Sequence, residues 1–247
     1  MKSAKIRLSE EEQNLVMNGD WILTKNRVLE QISSFLAELQ LSQSKLINQQ
    51  AGLPEELLAI PARLTKGENY LGLPYRVLDY PRLFGQEDIF AIRTLFWWGH
   101  YFTVSLLLVG EWKRKISGTL IATMDQLMET EHFICTADNP WINEIGPENY
   151  REIRGLSREA WEKIIHEQTF IRISTRVIVR KRYQPSASDS VETAPKPMLP
   201  RVDFETSPAL AEATRPVART AAAKIKLFIV AFLKVLESRL HSQSSER

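Results

Sequence analysis

IFAIRTLFWWGHYFTVSLLLV, residues 89–109, is the stretch from which the fold is read. Aromatic and β-branched residues dominate it, and Gly99 divides it into the runs Ile89–Trp97 and His100–Val109. A gap that short between two strands permits only an antiparallel hairpin. Alternation splits the first run into two sides: Phe90, Ile92, Thr94, Phe96 and Trp98 on one, Ile89, Ala91, Arg93, Leu95 and Trp97 on the other. Both sides are largely apolar, which predicts a central strand covered on each face. Arg93 is the exception on its side.

Upstream, Tyr75–Tyr80 is a third β-like run, set off by Pro81 and Gly85, so the three read as a meander. TKGENYLGLP, residues 65–74, reads as a loop by its glycines and proline. Pro54 and Pro61 bracket a short helical turn. Before them Val28, Leu29, Ile32, Phe35, Leu36 and Leu39 recur at three- and four-residue steps, predicting a helix over about Trp21 to Leu41, extendable through Leu46 and Ile47. Ser9 and Glu12 form a capping box for a shorter first helix; Gly19 and Asp20 interrupt it, and Asp20 is placed to cap the second.

Downstream, Leu120, Ile121, Met124, Leu127 and Met128 return to helical spacing, HFICT reads as a short strand, and Pro147 is placed to start a one-turn helix. Ser157 caps a helix whose Ala160, Trp161, Ile164 and Ile165 share a face. From Ile171 to Arg180 apolar residues alternate with Arg172, Ser174, Arg176 and Arg180, the pattern of a half-buried strand with a polar outer face. The fold class is therefore α+β: N-terminal helices packed on an antiparallel sheet of four to five strands, within a domain of residues 1–183.

Six of the twelve prolines fall between Pro185 and Pro216, so residues 184–216 read as a disordered Pro/Ser-rich linker. As a flexible coil it would span ~30 Å. Residues 217–247 follow as a separate basic amphipathic helix and tail, with Ile225, Ile229, Phe232, Leu233, Leu236 and Leu240 on one stripe. The net charge of +2 is unevenly spread. Residues 1–183 hold 23 basic and 23 acidic residues, 184–215 hold 3 and 5, and 216–247 hold 6 and 2. A neutral body argues against nucleic acid as its main partner. The stripe must dock somewhere: on its own domain or a second copy, on a different protein, or peripherally on an anionic membrane. The lone Cys135 excludes an intrachain disulfide and fits a reducing compartment, and no signal sequence or membrane-spanning window is read, so the expected location is cytoplasmic.

No motif assigns an activity, a cofactor or a metal. The strongest candidate constellation is Tyr75, Asp79, Arg93 and His100 on the aromatic sheet, apolar walls with a few convergent polar groups. Its structural alternative is that Arg93 pairs with a buried carboxylate such as Asp79 and His100 closes a turn. Arg172, Arg176 and Arg180 could track phosphates or an acidic partner, or be a solvated row guarding a sheet edge. His132 and Cys135 lack the further ligands of a zinc site. His166, and the pairs Glu129/Glu131 and Glu144/Glu148, read as structural or surface groups. Two functional expectations stand: an interaction or assembly protein that uses the tethered helix through Ile225–Leu240, and a small-molecule-binding domain or enzyme with its site around Arg93 and His100.

Overall fold

The computed structural model describes residues 6–49 and 54–178. The domain limit at Tyr183, the linker and the stripe from Ile225 to Leu240 lie outside the described residues.

The first element among the described residues is helix α1 (Glu10–Met17), whose Ser9–Glu12 capping box forms as the sequence requires. Helix α2 (Gly19–Gln49) runs eight residues past Leu41. Its extension is explained by Gln43 and Ile47, which continue the buried stripe of Leu29, Leu36 and Leu39. Asn18 takes the capping role expected of Asp20: its Oδ1 accepts the Trp21 amide at 3.3 Å. A short helix α3 (Glu55–Leu58) then leads to strands β1 (Arg63–Tyr70), β2 (Leu73–Phe84), β3 (Ile89–Trp97) and β4 (Phe102–Val109). Helices α4 (Gly110–Ala122) and α5 (Met124–Met128), strands β5 (Phe133–Cys135) and β6 (Tyr150–Glu152), helix α6 (Arg158–Glu167) and strand β7 (Phe170–Val177) complete the body.

The seven strands among the described residues belong to one antiparallel sheet in the order β1-β2-β3-β4-β7-β5-β6, more than the four or five expected. The meander is present as read, and two features extend it. The loop expected at residues 65–74 is instead most of β1, a two-residue turn at Leu71 and Gly72, and the start of β2. As an edge strand with little to bury, β1 needs few apolar residues, so its composition resembles a loop. Strand β2 also continues beyond Pro81, where the pairing register shifts between Asp79 and Arg82. A bulge is one of the few places where a sheet accommodates a residue without an amide hydrogen. Pro147 starts no helix; residues 147–149 form a turn before β6.

The two sides of β3 face different layers. Phe90 and Ile92, with Leu78, Val104, Leu106, Leu108, Ile171 and Ile173, join a core closed by Leu36 and Leu39 of α2, Trp112 and Leu120 of α4, and Trp161 and Ile165 of α6. Among the described residues no helix lies on the opposite face. Part of it is covered by residues 136–149, whose Ile142 and Ile145 pack on Leu107, Phe133, Tyr150 and Phe170. A separate patch, Val77, Leu95 and Trp97, lies toward β1.

Candidate functional site

The site is built on the face that carries residues 136–149 rather than α2, α4 and α6. The register aligns Arg63, Asp79, Arg93, Ser105 and Ser174 in one row across β1, β2, β3, β4 and β7. Arg93 donates to Asp79 twice, from Nε to Oδ1 at 2.7 Å and from Nη2 to Oδ2 at 2.9 Å. This is the partner Arg93 needs, since an unpaired cation on that side of β3 would be costly.

The far end of the row is closed by Arg172. Its strand position suggests a solvated outer face, but the side chain is buried, and the expected Arg172–Arg176–Arg180 row is overturned. Nη1 donates to the carbonyls of Pro140 and Ile142, both at 2.8 Å, and Nη2 to Asn143 Oδ1 at 2.6 Å and Ser105 Oγ at 3.2 Å. Burial lowers its pKa, but these four oxygens hold the cation in place of a carboxylate. Arg176 is separate: it pairs with Glu131 at 2.9 Å and lies over the Phe133 ring. Arg180 falls outside the described residues.

Arg172 acts as a clamp on the strap of residues 139–145, and three tyrosines reinforce it. Tyr70 and Tyr101 accept the amides of Asn143 and Ile145, each at 2.9 Å, and the Tyr150 hydroxyl donates to Ile142 O at 2.8 Å. Burial pushes the Tyr150 phenol up to about 12, so it stays a donor across the ordinary pH range. Within the strap Asn139 Oδ1 accepts the Trp141 amide at 2.9 Å. The result is a fixed Trp141, whose ring lies 4.9 Å from the Arg93 guanidinium carbon and 6.0 Å from the Phe84 ring.

The strap stops short of the outer strands and leaves an open cavity of about 390 Å3 over β1–β3. Its floor is Val77, Asp79 and Arg93; Tyr75, Phe84, Ile89 and Trp141 wall it, and Arg63, Thr65 and Gly85 complete the lining. Tyr75 owes its position to Gly67, the residue paired with it on β1, where any Cβ would collide with the phenol ring. Three of the four expected site residues, Tyr75, Asp79 and Arg93, therefore line one cavity. His100 does not: it stacks on Trp97 at 3.5 Å between ring centres, at the hairpin tip. Arg63, Phe84 and Trp141 were missed. Arg63 starts the strand whose remainder, from Thr65, reads as loop, and only the exposed tryptophan in the turn sequence NPWIN hints at Trp141.

The remaining chemistry-bearing groups lie outside the cavity. Burial lowers the His132 pKa, and its Nδ1 lies 2.9 Å from both Leu127 O and Thr130 Oγ1. Cys135 is buried, which raises its thiol pKa. Among the described residues no group of three or more His, Cys, Asp or Glu side chains could hold a metal. Glu129, Glu131, Glu144 and Glu148 are exposed. No helix among the described residues is long and apolar enough to cross a membrane. Compared with known proteins, the chain matches no family model, no curated protein and no solved structure.

Proposed function

We propose that the domain binds a small amphipathic molecule bearing an anionic group, seated over the Asp79–Arg93 pair. The observation that carries this reading is the cavity itself, left where the strap ends, with a volume in the range usual for small-ligand sites, roughly 300–1,000 Å3. Its polar inventory points to an acceptor-rich ligand. Two arginines face one aspartate, so the lining has an excess positive charge. Asp79 occupies Nε and Nη2 of Arg93, and neither Arg93 Nη1, the Arg63 guanidinium nor the Tyr75 hydroxyl has a hydrogen-bond partner among the described residues. Tyr75, Phe84 and Trp141 supply flat apolar walls for a ring or short alkyl chain.

In this arrangement Asp79 is a positioning residue: it fixes the plane of Arg93 and leaves the outer edge of the guanidinium toward the ligand. Arg63, on the exposed edge strand, adds the second charge. The reading is one of binding, and no catalytic step is assigned.

Calorimetric titration with a panel of phenyl, indolyl and alkyl carboxylates and phosphates tests it. At least one class should bind, and Arg63→Gln and Tyr75→Leu should each weaken that binding about tenfold, the effect of ~1.4 kcal/mol. Absence of binding by every member, or equal affinity in both variants, sinks the reading.

A further inference from the structure

Residues 6–23 form an elbow that buries almost nothing. Helix α1 contributes no buried residue to the body. Leu15, Val16 and Met17 are 54%, 69% and 83% exposed, and Leu23, one turn into α2, is 66% exposed. Ile6, Leu8 and Ile22 are exposed as well. Scattered exposed apolar side chains need no explanation, but with Trp21 there are eight within eighteen residues, a density that calls for a cover.

We propose that this elbow is the docking site of the chain's own segment 225–240. The inference is independent of the cavity. Three observations select this occupant. The first is charge: residues 6–23 hold Glu10, Glu11, Glu12 and Asp20 against Arg7, a net −3, whereas residues 216–247 carry +4. The second is the place where the described body ends. Val177, its last strand residue, pairs with Phe102. The Phe102 ring touches Phe96, Phe96 touches Trp98, and Trp98 meets Trp21 of the elbow at 6.4 Å. The chain therefore leaves the sheet at the end where the elbow sits. The third is reach: the 46 residues from 179 to 224 can span at most ~150 Å when fully extended. That exceeds the ~15 Å radius of gyration of a body this size, so the stripe reaches the elbow without strain.

The pattern of Ile225, Ile229, Phe232, Leu233, Leu236 and Leu240 offers apolar side chains to the elbow, and Lys224, Lys226 and Lys234 beside it complement the charge of the α1 glutamates. Tethering favours the same chain over a second copy, because a linker of this length holds the segment at an effective concentration near millimolar. The glutamates disfavour an anionic membrane, whose headgroups they would repel.

The full-length chain tests the proposal by hydrogen–deuterium exchange over residues 8–23, with sedimentation run alongside. In the wild type these amides should be protected and the protein monomeric. Ile229→Asp with Leu233→Asp should speed their exchange at least tenfold while β3 and β4 keep their protection, which shows the body still folded. Glu10, Glu11 and Glu12 changed together to Gln should do the same in part. Full-length Met17→Cys/Leu233→Cys, oxidised and run unreduced, should give a faster-migrating monomer. Unchanged exchange in the stripe variant overturns the proposal. So does a disulfide-linked dimer, which assigns the elbow to a second copy. Binding of the stripe to anionic vesicles with elbow exchange unaltered also overturns it, in favour of a membrane.

Discussion

Asp79 and Arg93 face each other across β2 and β3 and are joined by two parallel hydrogen bonds of 2.7 and 2.9 Å. Their exposure is unequal: the aspartate side chain is 3% exposed and the arginine 19%. Breaking the pair from either side therefore has different costs. Asp79→Asn strands a cation that still touches water, at about 3 kcal/mol, whereas Arg93→Met strands a buried carboxylate, at about 4–5 kcal/mol. Replacing both, as Asp79→Leu with Arg93→Met, should recover most of the loss. Urea denaturation of the three variants checks the order, and equal costs for the two single changes would contradict the inequality.

Arg172 is expected to matter more for order than for net stability. In Arg172→Lys one ammonium must replace a planar fork that now reaches four oxygens, so some of them lose their donor. The expected cost is about 2–3 kcal/mol, from buried acceptors left unmet. Hydrogen exchange at residues 139–145 should accelerate well before that of β3, and Trp141 fluorescence should shift toward that of a solvated indole. Exchange that accelerates equally everywhere would mean that Arg172 supports the whole sheet rather than the strap.

Gly67→Ala places a methyl group into the Tyr75 ring and should cost about 1–3 kcal/mol, the usual range for overpacking. In a Tyr75→Ala background the same change should be nearly neutral, because the colliding ring is gone. A double-mutant cycle by thermal unfolding tests this, and additive effects would show that the two residues do not meet.

His132 makes stability depend on pH on the acid side. Burial depresses its pKa below the ordinary value of 6.5, so the folded state holds the neutral ring while the unfolded chain protonates first. Its contribution is complete above 6.5 and is lost as pH falls through the lower folded value. His132→Gln should flatten the stability profile in that window and leave the alkaline side unchanged. An unaltered acid slope would assign the loss to other groups.

Much of the layer order was legible because β3 and β4 are central. Their residues are selected by burial on both faces, so alternation alone separated Phe90 and Ile92 from Arg93 and Leu95. Edge strand β1 escaped notice for the converse reason: Arg63, Lys66 and Glu68 face water, and nothing in composition distinguishes such a strand from a loop. Arg172 misled because alternation assigns a side, not a depth. Whether that side is wet depends on the strap, thirty residues distant in sequence, whose carbonyls and Asn143 take the charge. The cavity divides similarly. Tyr75, Asp79 and Arg93 lie on adjacent strands of a readable meander, whereas Arg63 lies on the edge strand that resembles a loop and Trp141 comes from the distant strap.

The position of β7 has a consequence for synthesis. It is the last strand of the described body, yet it lies between β4 and β5, the only strand joining the meander to the β5–β6 pair. A nascent chain that has not delivered residues 170–177 holds β4 with the backbone of one edge, residues 102–109, bare. That edge is a template for any other extended chain nearby. Translation that pauses or ends before Phe170 therefore yields a sticky half-sheet rather than a smaller soluble domain, and ribosome-bound chains of this length are where chaperone demand should peak.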